Sequence, residues 1–201
     1  MEEIRAIGYV AITNLVDVGE KGIVESGKKI VGKKISESCY KADKGCIIVG
    51  RKHSGDENGY TYYKTGKPVI VPFNNQKVPD NLSISLAHQN TTDGQKQSRS
   101  NFQCEGNYAI IGRTHEGDEN GQTSLTVAEL IFTQGGESLQ DYEIKTQTET
   151  VKVDKEDSGK WATLSPEPNV YLPMTGMQHV GDENGKSIYT FTYFTVYPKV
   201  K

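Results

Sequence analysis

The sequence predicts an all-β fold assembled from three pseudo-repeats, and three observations lead there. The word Gly-Asp-Glu-Asn-Gly occurs three times in 201 residues, as "HSGDENGYT" from His53, "HEGDENGQT" from His115 and "HVGDENGKS" from His179. The segments flanking each word alternate apolar and polar side chains with the two-residue period of a half-buried strand. A hydrophobic fraction of 34% with 21 glycines suits a turn-rich β-protein. The 11 tyrosines and 5 phenylalanines give it the apolar bulk that a disordered chain lacks.

The repeat extends beyond the word. Its spacings are 62 and 64 residues. Upstream, "IIVGRKH" aligns with "AIIGRTH" and "LPMTGMQH", and at a common offset Lys34, Ser36, Ser38 and Tyr40 meet Lys96, Ser98, Ser100 and Phe102. The third copy lacks that outer pattern, and "KWATLSPEPN" stands in its place. The repeats fall roughly at 1–72, 73–135 and 136–201. No linker divides them, and the length suits a single domain over 1–201. Three such copies, each centred on a β-hairpin, predict pseudo-threefold symmetry in a β-prism-like or trefoil-like arrangement, with a β-sandwich as the alternative. That arrangement is similar in architecture to prism and trefoil lectins, with no family signature in the residues themselves.

Taken in order, "MEEIRAIGYVAI" enters a strand pattern directly, and "SGKKIVGKK", with Lys28, Lys29, Lys33 and Lys34, reads as a loop or a lysine-guarded strand edge. Each repeated word then closes a hairpin. Asn and Gly tolerate positive φ and Asp bonds the backbone two residues on, so Asp-Glu-Asn-Gly predicts a type I turn closed by a left-handed glycine. Residues 89–100 form a stretch of low hydrophobicity inside the second repeat. "SLTVAEL" passes for a helical turn, but its counterparts in the other copies read as strand. "YEIKTQTETVKV" predicts an exposed strand pair or one long strand. In the last copy Tyr189, Phe191, Tyr193 and Tyr197 share one face, with Thr190, Thr192, Phe194 and Val196 on the other.

Charge and cysteine usage narrow the function classes. The net charge is −3, yet residues 20–67 carry 11 basic against 6 acidic side chains. That local excess attracts anionic surfaces weakly and excludes specific nucleic-acid binding as an expectation. Cys39, Cys46 and Cys104 are an odd set without metal spacing, which points to free buried thiols in a cytoplasmic protein, with a Cys39–Cys46 loop as the alternative in an exported one. Neither a basic start with an apolar run nor 18 consecutive apolar residues occurs, so the expectation is a cytoplasmic chain, one released without a cleaved signal, or a mature form. Asn81 and Asn90 stand in N-x-S/T form, and His88 lies outside the repeated word.

Turn chemistry accounts for Asp56, Asn58, Asp118, Asn120, Asp182 and Asn184, but not for the histidines or for Glu57, Glu119 and Glu183. Arg51 and Arg113 sit two residues before their histidines, on the same strand face, whereas the third copy has Met177 there and retains His179 and Glu183. The glutamate therefore does not persist only as an arginine partner. Three readings follow. The hairpins are structural, each histidine donating to Asp or Glu in a buried polar cluster. Or each loop binds a ligand. Histidine donates, Asp and Glu accept, and Asn with the hydroxyl of Thr61, Thr123 or Ser187 completes the set, while Arg51 and Arg113 orient carboxylates and Tyr60, Tyr62 and Tyr63 stack on a sugar. Or His53, His115 and His179 converge on a pseudo-threefold axis around one metal.

The sequence favours a non-enzymatic, multivalent recognition protein, lectin-like and carbohydrate-binding, whose partner is a glycan or another cell-surface ligand. Repetition multiplies avidity toward a repetitive surface and adds far less to catalysis. The alternatives are hairpins that are purely structural in a toxin-like or membrane-interacting β-protein, and the three-histidine metal site. No cofactor is expected; Ca²⁺ or a transition metal is the exception that the carboxylates or the histidines would allow. No Ser-His-Asp arrangement, P-loop or zinc spacing marks an enzyme.

Overall fold

The computed structural model describes residues 5–16, 37–55, 60–74, 76–117, 120–155, 158–182 and 184–200. The lysine-rich stretch at 26–34 lies outside them, as do Asp56, Glu57, Asn58, Asp118, Glu119 and Glu183. The described chain is all-β. Its strands begin with β1 (Gly8–Ala11), β2 (Leu15–Val16), β3 (Glu37–Lys41), β4 (Ile47–Ser54), β5 (Tyr60–Gly66), β6 (Val69–Pro72), β7 (Leu82–Thr91) and β8 (Gln95–Lys96). A 3-10 turn at Gln97–Arg99 leads into β9 (Asn101–Gln103), β10 (Tyr108–Glu116), β11 (Gln122–Gln134) and β12 (Glu137–Ser138). The chain ends through β13 (Tyr142–Val153), β14 (Ala162–Thr163), β15 (Met174–Val180) and β16 (Lys186–Pro198). "SLTVAEL" is strand, within β11, and "YEIKTQTETVKV" is the single long strand β13.

Each repeated word joins a hairpin, and each hairpin lies in its own antiparallel sheet. β4–β5 sits in the order β14-β4-β5-β2. β10–β11 sits in β12-β11-β10-β3, with β7 and β8 also pairing β11, and β15–β16 sits in β6-β1-β16-β15-β9, with β13 also pairing β16. The strand completing each sheet beside the hairpin's first strand comes from another segment of the chain. β3, which precedes the first hairpin, pairs with β10 of the second. β9, which precedes the second, pairs with β15 of the third, and β14, which precedes the third, returns to β4 of the first. The exchange runs in a closed cycle. It puts Tyr40 opposite Arg113, Phe102 opposite Met177 and Ala162 opposite Arg51.

A bulge recurs at one position in all three hairpins, between Ile48 and Gly50, Ile110 and Gly112, and Met174 and Gly176. The glycine has a steric reason. A Cβ on Gly50 would meet Thr163 of β14 and one on Gly176 would meet Gln103 of β9, while on Gly112 it would lie 2.7 Å from the Tyr40 carbonyl oxygen of β3. In each case the obstacle is the incoming exchanged strand. At Gly112 that obstacle is backbone, and glycine is the residue that lets two backbones approach this closely; at Gly50 and Gly176 it is a side chain.

The first strands β4, β10 and β15 contact one another pairwise and are almost continuously buried. Their alternation feeds two core clusters. Ile48, Ile110 and Met174 join Met177, Tyr40 and Phe102 in one. Ile47, Val49, Ala109 and Ile111 join Val10, Leu130 and Phe194 in the other. A strand buried on both faces carries the unbroken apolar run seen in "IIV" and "AII". The arginines sit in this interior too. Arg51 is buried and donates through Nη1 to the Tyr189 hydroxyl at 2.6 Å, linking the first hairpin to the third.

Replacing Gly112 with alanine should lower stability by about 1–3 kcal/mol, because the obstructing atom is backbone and cannot rotate away. Urea unfolding measures it, and a loss under about 0.5 kcal/mol would contradict the close-approach account.

Candidate functional site

The rung closing each hairpin pairs Ser54 with Tyr60, Glu116 with Gln122 and Val180 with Lys186. The five residues Gly-Asp-Glu-Asn-Gly are thus the whole loop. One rung inward, His53 faces Thr61, His115 faces Thr123 and His179 faces Ser187. Imidazole Nδ1 lies 2.8, 2.6 and 2.9 Å from the facing hydroxyl oxygen, in that order. The histidines are 2%, 0% and 4% exposed, and the hydroxyl residues are buried with them. Each loop therefore rests on an interior polar rung formed by direct cross-strand partners.

In the third copy the proton can be placed. His179 Nε2 lies 3.1 and 2.9 Å from the carbonyl oxygens of Gly181 and Asp182, which only accept, so Nε2 carries hydrogen. In the neutral ring Nδ1 then accepts, and the Ser187 hydroxyl donates to it. The imidazole spans the base of the loop from strand to turn. Each histidine has a hydroxyl partner because a five-residue loop brings the hydroxyl onto the opposite rung; of the carboxylates expected as partners, all but Asp182 lie outside the described residues.

The glycines divide their work differently from the expectation. The left-handed residue is the first glycine of the word, with φ of +92° at Gly55, +98° at Gly117 and +107° at Gly181. The last glycine has a steric role. A Cβ on Gly121 would overlap the Glu116 carbonyl oxygen, and one on Gly185 that of Val180. The turn itself forms as expected in the third copy. Gly185 donates to the Asp182 carbonyl at 2.7 Å, and Asn184 donates its backbone N–H to Asp182 Oδ1 at 3.0 Å. Asp182 thus serves the turn through its side chain as well as its backbone.

The remaining candidate residues separate by exposure. Asn120, Asp182 and Asn184 are exposed on the loops. Arg113 is buried and reaches Thr123 Oγ1 through Nη2 at 3.3 Å. Tyr63, expected as a sugar platform, is buried and stacked on Tyr40 at 4.1 Å between centroids. Tyr62 is half-buried beneath the Lys52 ammonium, 4.8 Å from its ring centre. Among the described residues no three His, Cys, Asp or Glu side chains gather into a set able to hold a metal ion. The cysteines are free, and burial pushes the Cys104 thiol from 9.0 up to about 12.

Two features lay beyond the sequence reading. On the outer face of β4–β5, Trp161 lies between Lys52 and Lys64, whose ammonium groups are 5.2 and 4.7 Å from its ring centre, and Tyr171 lies 5.1 Å from Lys64. Pairing in β4–β5 puts Lys52, Tyr62 and Lys64 on one face, and Trp161 arrives there beside the exchanged strand β14. The other feature is a cleft of about 460 Å³ beside β7, β9 and β11, lined in part by the polar stretch at 89–100. Comparison with protein-family models, curated proteins and solved structures gives no match.

Thr61→Val should cost about 1–3 kcal/mol by stranding the His53 ring nitrogen, and adding His53→Phe should recover part of the loss, with a coupling of about 1 kcal/mol. A Thr61→Val protein within about 0.5 kcal/mol of the parent in a denaturant cycle would refute a structural imidazole–hydroxyl rung.

Proposed function

We propose that this chain is a non-enzymatic, multivalent recognition protein that binds carbohydrate through the exposed tips of its three hairpins. One observation carries the reading. Three loops of identical sequence are held in identical register by buried imidazole–hydroxyl rungs, with Asn120, Asp182 and Asn184 left exposed. The rung fixes the loop, and the exposed amides of Asn120 and Asn184 with the carboxylate of Asp182 offer the donors and acceptors that read sugar hydroxyls. The histidines act as positioning residues rather than as donors to the ligand. The three segments belong to one pseudo-threefold arrangement, a reading supported by the closed strand exchange and the matched bulges. A loop held rigid before binding loses less conformational entropy when it binds.

A second reading has its own support. The burial of all three imidazoles also suits purely structural hairpins in a toxin-like or membrane-interacting protein. The threonine-rich strand β13, exposed along most of its length, adds to that reading.

A glycan array and a liposome dye-leakage assay separate the two. On the array, alanine at Asp182 and Asn184 should weaken binding to a dense glycan surface about tenfold or more, while free-sugar affinity at the other loops is retained. Undiminished surface binding with all three loops altered would end the loop reading. Leakage without glycan binding would establish the second.

A further inference from the structure

We infer that the cleft beside β7, β9 and β11 is a binding site for a neutral sugar of about disaccharide size, separate from the hairpin loops. The inference shares its ligand class with the recognition reading above and rests on different residues. The sequence marked residues 89–100 only as unusually polar. In the fold this stretch runs on from β7 along β11, where β8 pairs with Gln122 and Thr123, and becomes one wall of the cleft, and β9 with the segment after it supplies the other. A volume of about 460 Å³ falls within the range of small-molecule sites.

The lining specifies the chemistry. Four carboxamides, from Asn90, Gln95, Asn101 and Gln103, share the rim with the carboxylates of Asp93 and Glu105. Amides both donate and accept, and carboxylates accept, which matches the mixed demands of sugar hydroxyls. The floor is apolar, from Phe102, Leu125 and Val127, with Tyr108 beside it. A pyranose ring presents apolar C–H groups on its faces and hydroxyls at its edge, so floor and rim address both. None of the described lining residues is basic, which disfavours phosphorylated and sulfated ligands.

The wall is also held in advance. At one end, the Thr92 backbone N–H donates to the Leu125 carbonyl at 2.8 Å, and the Leu125 N–H donates to Thr92 Oγ1 at 2.9 Å. At the other, the Gln95 carboxamide donates to the Asn101 carbonyl at 3.1 Å and accepts from the Asn101 N–H at 2.7 Å. Asp93 lies between these two anchors. A segment pinned at both ends presents its polar groups without first being ordered by the ligand.

The test is an amide chemical-shift titration of the intact ¹⁵N-labelled chain with maltose, lactose, cellobiose, diacetylchitobiose and a heparin-derived sulfated disaccharide at millimolar concentration. Shifts induced by a neutral sugar are expected at Asn90, Asn101, Gln103 and Tyr108. Gln103→Ala and Tyr108→Phe should each weaken that sugar about tenfold while the melting temperature is kept, since each removes exposed or partly exposed polar atoms. Alanine at Asp182 and Asn184 should leave this titration unchanged. If the loop substitutions abolish binding and the cleft substitutions do not, the cleft assignment fails and the loop reading stands. Binding of the sulfated sugar alone, or of none of the five, overturns the inference.

Discussion

The imidazole–hydroxyl rung at the end of each hairpin solves a specific problem. A hairpin end frays unless something interior holds it. Histidine on one strand and threonine or serine on the other place a directed polar contact in the last buried position, 2.6–2.9 Å long in all three cases. Because the pair is buried, breaking it leaves a desolvated nitrogen, so the rung is enforced more strongly than its own modest bond energy implies. In the third hairpin the ring also reaches the carbonyls of Gly181 and Asp182, so strand and turn are held by one side chain.

The strand exchange sets where those hairpins sit. Since β3, β9 and β14 each complete a sheet begun by another hairpin, a segment taken alone lacks a neighbour for its own first strand. The exchanged strands press on Gly50, Gly112 and Gly176, and the neighbouring positions hold Arg51, Arg113 and Met177 in the interior. Arg51 reaching Tyr189 carries a polar link from one hairpin to another through that interior. Packing, register and loop presentation thus trace to the same arrangement.

Much of this was legible in the residues. Alternation gave the strands, the repeated word gave the loops, and the counterparts of "SLTVAEL" in the other copies ruled out a helix. The histidine's partner was also within reach, because residues eight apart around a five-residue loop face each other. The exchange was hidden, since Ala162 takes the role of Tyr40 and Phe102 at a shifted offset in a segment whose pattern is lost. The bulge glycines look like ordinary turn residues until the strand that crowds them is known. The cleft gathers residues from several strands and the segments between them, so no short spacing announces it.

The three repeated histidines are interior supports of their hairpins. Of the chain's four histidines, His88 lies outside the word, with its side chain 68% exposed beside Glu129. Brief treatment of the native protein with diethyl pyrocarbonate, followed by peptide mass mapping, compares all four at once. His88 should be modified while His53, His115 and His179 are spared until denaturant is added. Modification of those three at the rate of His88, with the fold intact, would contradict the buried rung and return the imidazoles to the surface.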